Sequence, residues 1–170
     1  MNRMLIFGIT FLLLLAFISF AGDGKVNYSG TWNINEEKSE LGEGGRFFLS
    51  TKLVIVQKDN DMTMERHRTG RNGEPRSSTD KFTLDGKECE NPAFGDNVRK
   101  SVVTWSDDGK SMTINSTMEF WREGNKTEFK STEIYKLSDD GNVLTIDYTN
   151  TSPRGERKGT YIYDKEKTNG

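Results

Sequence analysis

The chain is poor in the residues that chemistry most often requires. Its 170 residues include one cysteine, Cys89, and one histidine, His67. A single cysteine excludes an internal disulfide. A single histidine with no cysteine cluster leaves a transition metal short of ligands. Cys89 reads as a buried small apolar side chain, with a reactive thiol as the alternative. Strand alternation puts His67 on an outer face beside Glu65 and Thr69, opposite Cys89, which separates a thiol nucleophile from its base. No serine sits in a strand–turn–helix elbow, and no glycine-rich phosphate loop opens a helix. No enzymatic activity, cofactor or metal is expected.

A surplus of positive charge is also lacking. There are 24 Lys and Arg against 26 Asp and Glu, a net charge of −2. Nucleic-acid binding draws on a clustered positive excess, so that class is set aside. Long apolar runs are absent with one exception. Arg3 is followed by a nearly continuous apolar stretch from Leu5 to Phe20, and Ser19 and Ala21 are small residues at positions that signal peptidases accept. Residues 1–21 are therefore expected to be a cleaved signal peptide, and 22–170 one exported domain, periplasmic or extracellular. A retained anchor is the alternative.

What the chain does have is a repeat. "WSDDGKSMTI" (105–114) returns as "LSDDGNVLTI" (137–146). A helix–loop–helix calcium site needs alternating oxygen ligands over about twelve residues and a closing bidentate Glu; these segments run straight into alternating strands instead. Asp-Gly between alternating segments is a hairpin signal, read here as a two-residue type I′ turn. With Asp108-Gly109 at one tip, Trp105 faces Met112, Val103 faces Ile114, Ser101 faces Ser116 and Arg99 faces Met118. With Asp140-Gly141 at the other, Leu137 faces Leu144, Tyr135 faces Ile146 and Glu133 faces Tyr148. A tip at Gly124-Asn125 sets Phe120 against Phe129 and Glu119 against Lys130. A tip at Arg154-Gly155 sets Tyr148 against Tyr161 and Ile146 against Tyr163. Five consecutive strands then share one face, which a one-residue slip anywhere would destroy.

Upstream, "STKLVIVQK" and "DMTMERHRT" flank Asp59-Asn60, and "RSSTDKFTL", "KECEN" and "TWNIN" add further strands. The fold class is all-β: an antiparallel up-and-down meander of about 8–10 strands closed into a barrel, which removes unpaired edges. The face opposite the tyrosines carries Lys100, Thr104, Asn115, Glu119, Lys130 and Lys136. A lipid-facing barrel would be apolar there, so a soluble barrel is expected.

"YSGTWNIN" (28–35) resembles the opening of the lipocalin and fatty-acid-binding (calycin) proteins, whose first strand carries Gly-x-Trp, here Gly30, Thr31 and Trp32. "SGTWNINEEKSELG", "FTLDGKE", "LSDDGNVLTIDYT" and "SPRGERKGTYIYDK" are similar to exported bacterial lipocalin-like proteins. The resemblance implies a barrel that holds a small molecule, with Trp32 closing one end beneath a basic side chain from the last strands, Arg154 or Arg157. Fatty-acid-binding proteins insert a helical pair after the first strand; a Gly-rich segment with Gly42, Gly44 and Gly45 stands here instead.

The shared face mixes Trp32, Leu53, Ile55, Met64, Phe120, Phe129 and Tyr135 with Arg66, Arg68, Arg99, Glu133, Tyr148 and Tyr161. Buried charges need partners, water or a ligand. If the loop around "RNGEP" has an odd length, Asp80 faces inward beside Arg66, and Glu133 is then expected to serve Arg99. Two readings follow from these interior charges. In one, Arg66, Arg68, Arg99, Glu133, Tyr148 and Tyr161 bind a small amphipathic or anionic ligand, an Arg–Tyr arrangement that the resemblance also implies for an acid head group. In the other they form an internal network. A third possibility, of another class, is a non-enzymatic interaction module, an inhibitor or envelope-associated factor, using Phe47, Phe48 and Phe94 on its longer loops. The protein is expected to act as a monomer.

Overall fold

A computed structural model describes residues 24–42, 46, 49–70, 72–122 and 124–167. The apolar start with its cleavage site, Gly44, Gly45, and Phe47 and Phe48 lie outside these. Ten strands follow one another: β1 (Gly30–Ile34), β2 (Lys52–Lys58), β3 (Asp61–Thr69), β4 (Pro75–Thr83), β5 (Glu88–Pro92), β6 (Val98–Trp105), β7 (Ser111–Arg122), β8 (Asn125–Leu137), β9 (Val143–Ser152) and β10 (Gly155–Lys165). All pairings are antiparallel, in the order β4-β3-β2-β1-β10-β9-β8-β7-β6-β5. The two ends of the sheet, β4 and β5, are neighbours in sequence, and the sheet curls until they meet.

Side chains close that seam. The Lys81 amide donates to the Asn91 Oδ1 at 2.6 Å, and the Asn91 Nδ2 donates back to the Lys81 carbonyl at 2.9 Å. Asn91 so takes the place of a ladder residue, and it is buried at 3% exposure. The result is a nearly closed β-barrel whose outer face carries the expected polar side chains. Lys100, Thr104, Asn115, Glu119, Lys130 and Lys136 are all exposed.

The repeat is one device used twice. In both copies a serine amide closes the hairpin, Ser106 to the Ser111 carbonyl at 3.0 Å and Ser138 to the Val143 carbonyl at 2.9 Å. The glycine amide bonds the same serine's carbonyl, from Gly109 at 2.9 Å and from Gly141 at 2.8 Å. The aspartate accepts from the serine hydroxyl and from the amide two residues on. These bonds hold the Asp140 carboxyl at about 2 and lower that of Asp108. The loops are four residues long with positive φ at glycine only, 68° and 67°. They correct the expected two-residue type I′ turn: the Asx bond lets Asp stay at negative φ and moves the reversal one residue earlier. The register is unchanged, and Trp105, Val103, Ser101 and Arg99 face Met112, Ile114, Ser116 and Met118. Leu137, Tyr135 and Glu133 face Leu144, Ile146 and Tyr148.

Two other registers differ from expectation by two residues. On β7–β8, Arg122 pairs with Asn125, so Phe120 meets Thr127 and Glu119 meets Glu128 rather than Lys130. The two acids are relieved by neighbours, Lys126 to Glu119 at 2.7 Å and Lys130 to Glu128 at 2.8 Å. On β9–β10, Ser152 pairs with Gly155 around Pro153-Arg154, so Ile146 meets Tyr161 and Tyr148 meets Gly159. Pro fits the first corner of a turn because its φ is fixed, and the tip forms there, not on the glycine. A shift of two preserves the face. Phe120 and Phe129 still stack at 5.2 Å, and Tyr148 and Tyr161 at 4.4 Å, now as diagonal pairs.

The apolar core fills one end of the barrel. Trp32, Leu53, Met64, Val103, Met112, Tyr135 and Leu144 are each 0% exposed. Each large side chain buried this way contributes about 1.5–3 kcal/mol. Tyr28 plugs the base, donating from its hydroxyl to the Tyr135 carbonyl at 2.8 Å and accepting the Trp32 indole N–H on its own carbonyl at 3.0 Å. The cation over Trp32 is Lys165, with Nζ 5.2 Å from the ring. Arg154 and Arg157 do not cover it, because β10 carries them to the other end. Cys89 is half-buried, not fully buried, and its thiol points to the Ser101 carbonyl at 3.3 Å.

Candidate functional site

Above the core the barrel is hollow. A cavity of about 620 Å³ opens at the end where β3–β4, β7–β8 and β9–β10 turn. That volume lies within the several-hundred-Å³ range of small-molecule sites. All six side chains singled out from the sequence line it: Arg66 and Arg68 from β3, Arg99 from β6, Glu133 from β8, Tyr148 from β9 and Tyr161 from β10. Alternation explains the convergence, since residues two apart point to the same side of a strand.

The floor is ionic. The odd-length loop between β3 and β4 does turn Asp80 inward, at 2% exposure. Arg66 donates from Nε to Asp80 at 3.2 Å, and from Nη2 to Glu133 at 2.7 Å and to the Tyr135 hydroxyl at 2.9 Å. The Tyr135 hydroxyl also donates to Glu133 at 2.6 Å. Arg99 donates to the other Asp80 oxygen. Glu133 therefore serves Arg66, and Arg99 is served by Asp80, the reverse of the expected assignment for Glu133. Barrel curvature decides it by bringing β3, not β6, against β8 at this level.

Burial opposes the charges, and the partners outweigh it. Burial works against the Arg66 guanidinium, but Glu133, Tyr135 and Asp80 hold it well above its ordinary value. Burial likewise works against the Glu133 carboxylate, yet Arg66 leaves it below the usual glutamate range. Tyr135 is pushed well up, mainly by burial. Arg68 is the exception. Burial lowers it first, Arg66 beside it lowers it further, and the balance stays below the guanidinium norm. Its hydrogen bond runs from Nε to the Ser50 hydroxyl at 3.3 Å.

The upper walls divide by character. Met118 and Phe120 from β7 and Phe129 from β8 make an apolar side. The stacked Tyr148 and Tyr161 stand beside Tyr163, whose hydroxyl donates to the Ser50 carbonyl at 2.9 Å. Tyr148 donates to the Leu41 carbonyl, tying the β1–β2 connection to the cavity wall. Glu40 pairs with Thr160 in both directions at 2.8 Å. Gly159 makes that approach possible, because a Cβ there would run into the Glu40 carbonyl oxygen and the Tyr148 hydroxyl.

Among the lining residues that sequence reasoning missed, with Arg154 on the β9–β10 turn, is Arg157. Counting back from Tyr161 in steps of two would have placed it inside. The other polar residues weighed lie elsewhere. His67 is on the outer face, 3.2 Å from Glu65. Phe94 is 86% exposed on the β5–β6 turn and plugs nothing. Among the described residues no cluster of His, Cys, Asp and Glu is grouped to hold a metal.

No family model and no curated protein matches this chain. Among solved structures it is similar to zebrafish ileal bile acid-binding protein, a crystal structure complexed with cholic acid. The identity is 18% and the TM-score 0.50, over 82% of this chain and 98% of that one. The fold is a calycin-like β-barrel. At this identity the likeness concerns the fold, and the two share a ten-strand antiparallel meander. After β1, Glu40 and Leu41 are pinned to β10 and β9, through Thr160 and the Tyr148 hydroxyl.

Proposed function

We propose that this chain is an exported binding protein, not an enzyme, that carries a small amphipathic or anionic ligand inside its barrel. The observation that carries the reading is the cavity of about 620 Å³, apolar along Met118, Phe120 and Phe129 and cationic along β3. Such a division fits a molecule with one charged end and a greasy body. The likeness to a bile acid-binding structure that holds cholic acid supports a ligand of this kind. Export rests on the sequence, where the Leu5–Phe20 run ends in small residues.

Filling the cavity tests this. Ser131 points into it from the middle of β8. Ser131→Trp should abolish uptake of Nile red and of cholate while leaving the melting temperature the same or higher. Native mass spectrometry of the wild type should show a copurified small molecule. A wild type that binds neither probe, or a Trp variant that binds both as well as wild type, overturns the reading.

A second reading keeps one observation. Phe94 and Trp121, 86% and 70% exposed, stand near the cavity mouth on the β5–β6 turn and the outer face of β7. Exposed aromatics can anchor a partner, and substituting both should abolish partner capture if the chain is an interaction module.

A further inference from the structure

The interior charges do not balance, and the imbalance has an address. Five guanidiniums line the cavity, Arg66, Arg68, Arg99, Arg154 and Arg157, together with the Lys130 ammonium, against one lining carboxylate, Glu133, and one below it, Asp80. Both carboxylates are already engaged. Asp80 accepts from Arg66 and Arg99, and Glu133 accepts from Arg66 and the Tyr135 hydroxyl. Arg154 and Arg157 sit at and beside the β9–β10 turn, at the mouth. Arg68, half-buried in the wall, turns instead to Ser50 and Tyr163; Glu133 and Asp80 act on it only through space, and no carboxylate among the described residues forms an ion pair with it.

A guanidinium has five N–H donors. Arg68 spends one on a neutral hydroxyl at 3.3 Å, a long bond, to a serine that is 2% exposed and itself fixed by Tyr163. Its neighbours make matters worse. Arg76 stands directly opposite on β4, and Arg66 is two residues away on the same face. Like charges opposed across a ladder destabilise it, and a half-buried cation with no ion-pair partner adds to that cost. An apolar side chain or a carboxylate at this position would serve the fold better.

We infer that Arg68 is the seat for the ligand's anionic head, an oxyanion such as a carboxylate, and that Arg66, Arg99 and Glu133 are scaffold that does not touch it. This rests on the cavity reading above. The head group lies on the Arg68 Nη fork, where it supplies the counter-charge the fold leaves out, and the Tyr148 and Tyr161 ring faces lie alongside. The apolar body points toward Met118, Phe120 and Phe129 at the mouth. The carboxylate of the ligand completes a charge set that the protein holds open. That division of labour cannot be read from the sequence, where Arg66, Arg68 and Arg99 look equivalent.

The test compares a long-chain fatty acid with the alcohol of the same length, in wild type, Arg68→Gln and Arg157→Gln. Wild type should prefer the acid. Arg68→Gln should collapse the acid-over-alcohol preference roughly ten- to hundredfold, the worth of hydrogen bonds to a charged group. It should also raise the ligand-free melting temperature, because a cation without an ion-pair partner is gone; a merely structural arginine would lower it. An Arg68→Gln protein that keeps the preference, or that melts lower than wild type, overturns the assignment, as does loss of the preference in Arg157→Gln alone. If the alcohol and the acid bind wild type equally well, the cavity stands and this seat falls. If neither binds, the cavity reading fails first.

Discussion

Asp80→Asn is the sharpest perturbation of the barrel floor. Asp80 is almost wholly buried and holds two guanidiniums, Arg66 through one oxygen and Arg99 through the other. The substitution keeps the shape and removes the charge that both require. Taking one partner from a buried pair costs about 3–5 kcal/mol, because the charge left behind is unpaired and dry. Here Arg66 keeps Glu133 and Arg99 loses its only ion-pair partner among the described residues, so about 3 kcal/mol is expected. Against a total near 5–15 kcal/mol for a domain, that is a large fraction. With a urea slope near 2 kcal/mol/M, the midpoint should fall by about 1.5 M. Urea unfolding followed by tryptophan fluorescence and circular dichroism reads it. Arg99→Gln added to Asp80→Asn removes the stranded cation and should restore half or more of the loss, a coupling that a double-mutant cycle isolates. A cost below about 1 kcal/mol, or no recovery in the double variant, would mean the floor is wet and the argument from a dry ionic floor is wrong.

Two further outcomes follow from the same geometry. Gly159→Ala should cost about 1–3 kcal/mol by forcing the Glu40 carbonyl away, and should speed hydrogen exchange at the Glu40 and Thr160 amides; unchanged exchange would show that the segment is not pinned there. Glu133 is more acidic folded than unfolded, so its stabilisation is complete above the ordinary glutamate value of about 4.3 and fades as pH falls below it through the folded value. The stability gap between wild type and Glu133→Gln should therefore be widest near neutral pH and close in acid, and a gap that ignores pH would contradict the Arg66–Glu133 pairing.

The faces of the barrel were legible in the sequence and two of its registers were not. Side-chain alternation has a period of two, so assigning Tyr135, Ile146 and Tyr161 to the inside survives an error of two residues. That is the error made at the β7–β8 and β9–β10 tips. At Pro153 a fixed φ competed with the freedom of Gly155, and the proline took the corner. At the twin Ser-Asp-Asp-Gly loops the register came out right while the turn type did not, because the Asx bonds leave only glycine at positive φ. The cation over Trp32 was misplaced for a related reason: which of Arg154, Arg157 and Lys165 reaches it depends on how far β10 runs past β1. Membership of the cavity wall could be read strand by strand. Partnership inside it could not, since Arg66–Glu133 is a contact across the barrel, set by curvature and shear rather than by any ladder. The surplus at Arg68 became visible only once those partners were known.

Methionine methyl groups test the central claim most directly, because the chain places them on both sides of the cavity floor. Met118 lines the cavity, while Met62 and Met112 are sealed in the core at 1% and 0% exposure. In protein labelled with ¹³C at the methionine methyls, titration with a long-chain carboxylate should move the Met118 resonance and leave those of Met62 and Met112 in place. A ligand that shifts none of the three, or that shifts the core pair and spares Met118, would contradict a barrel that binds within its open end.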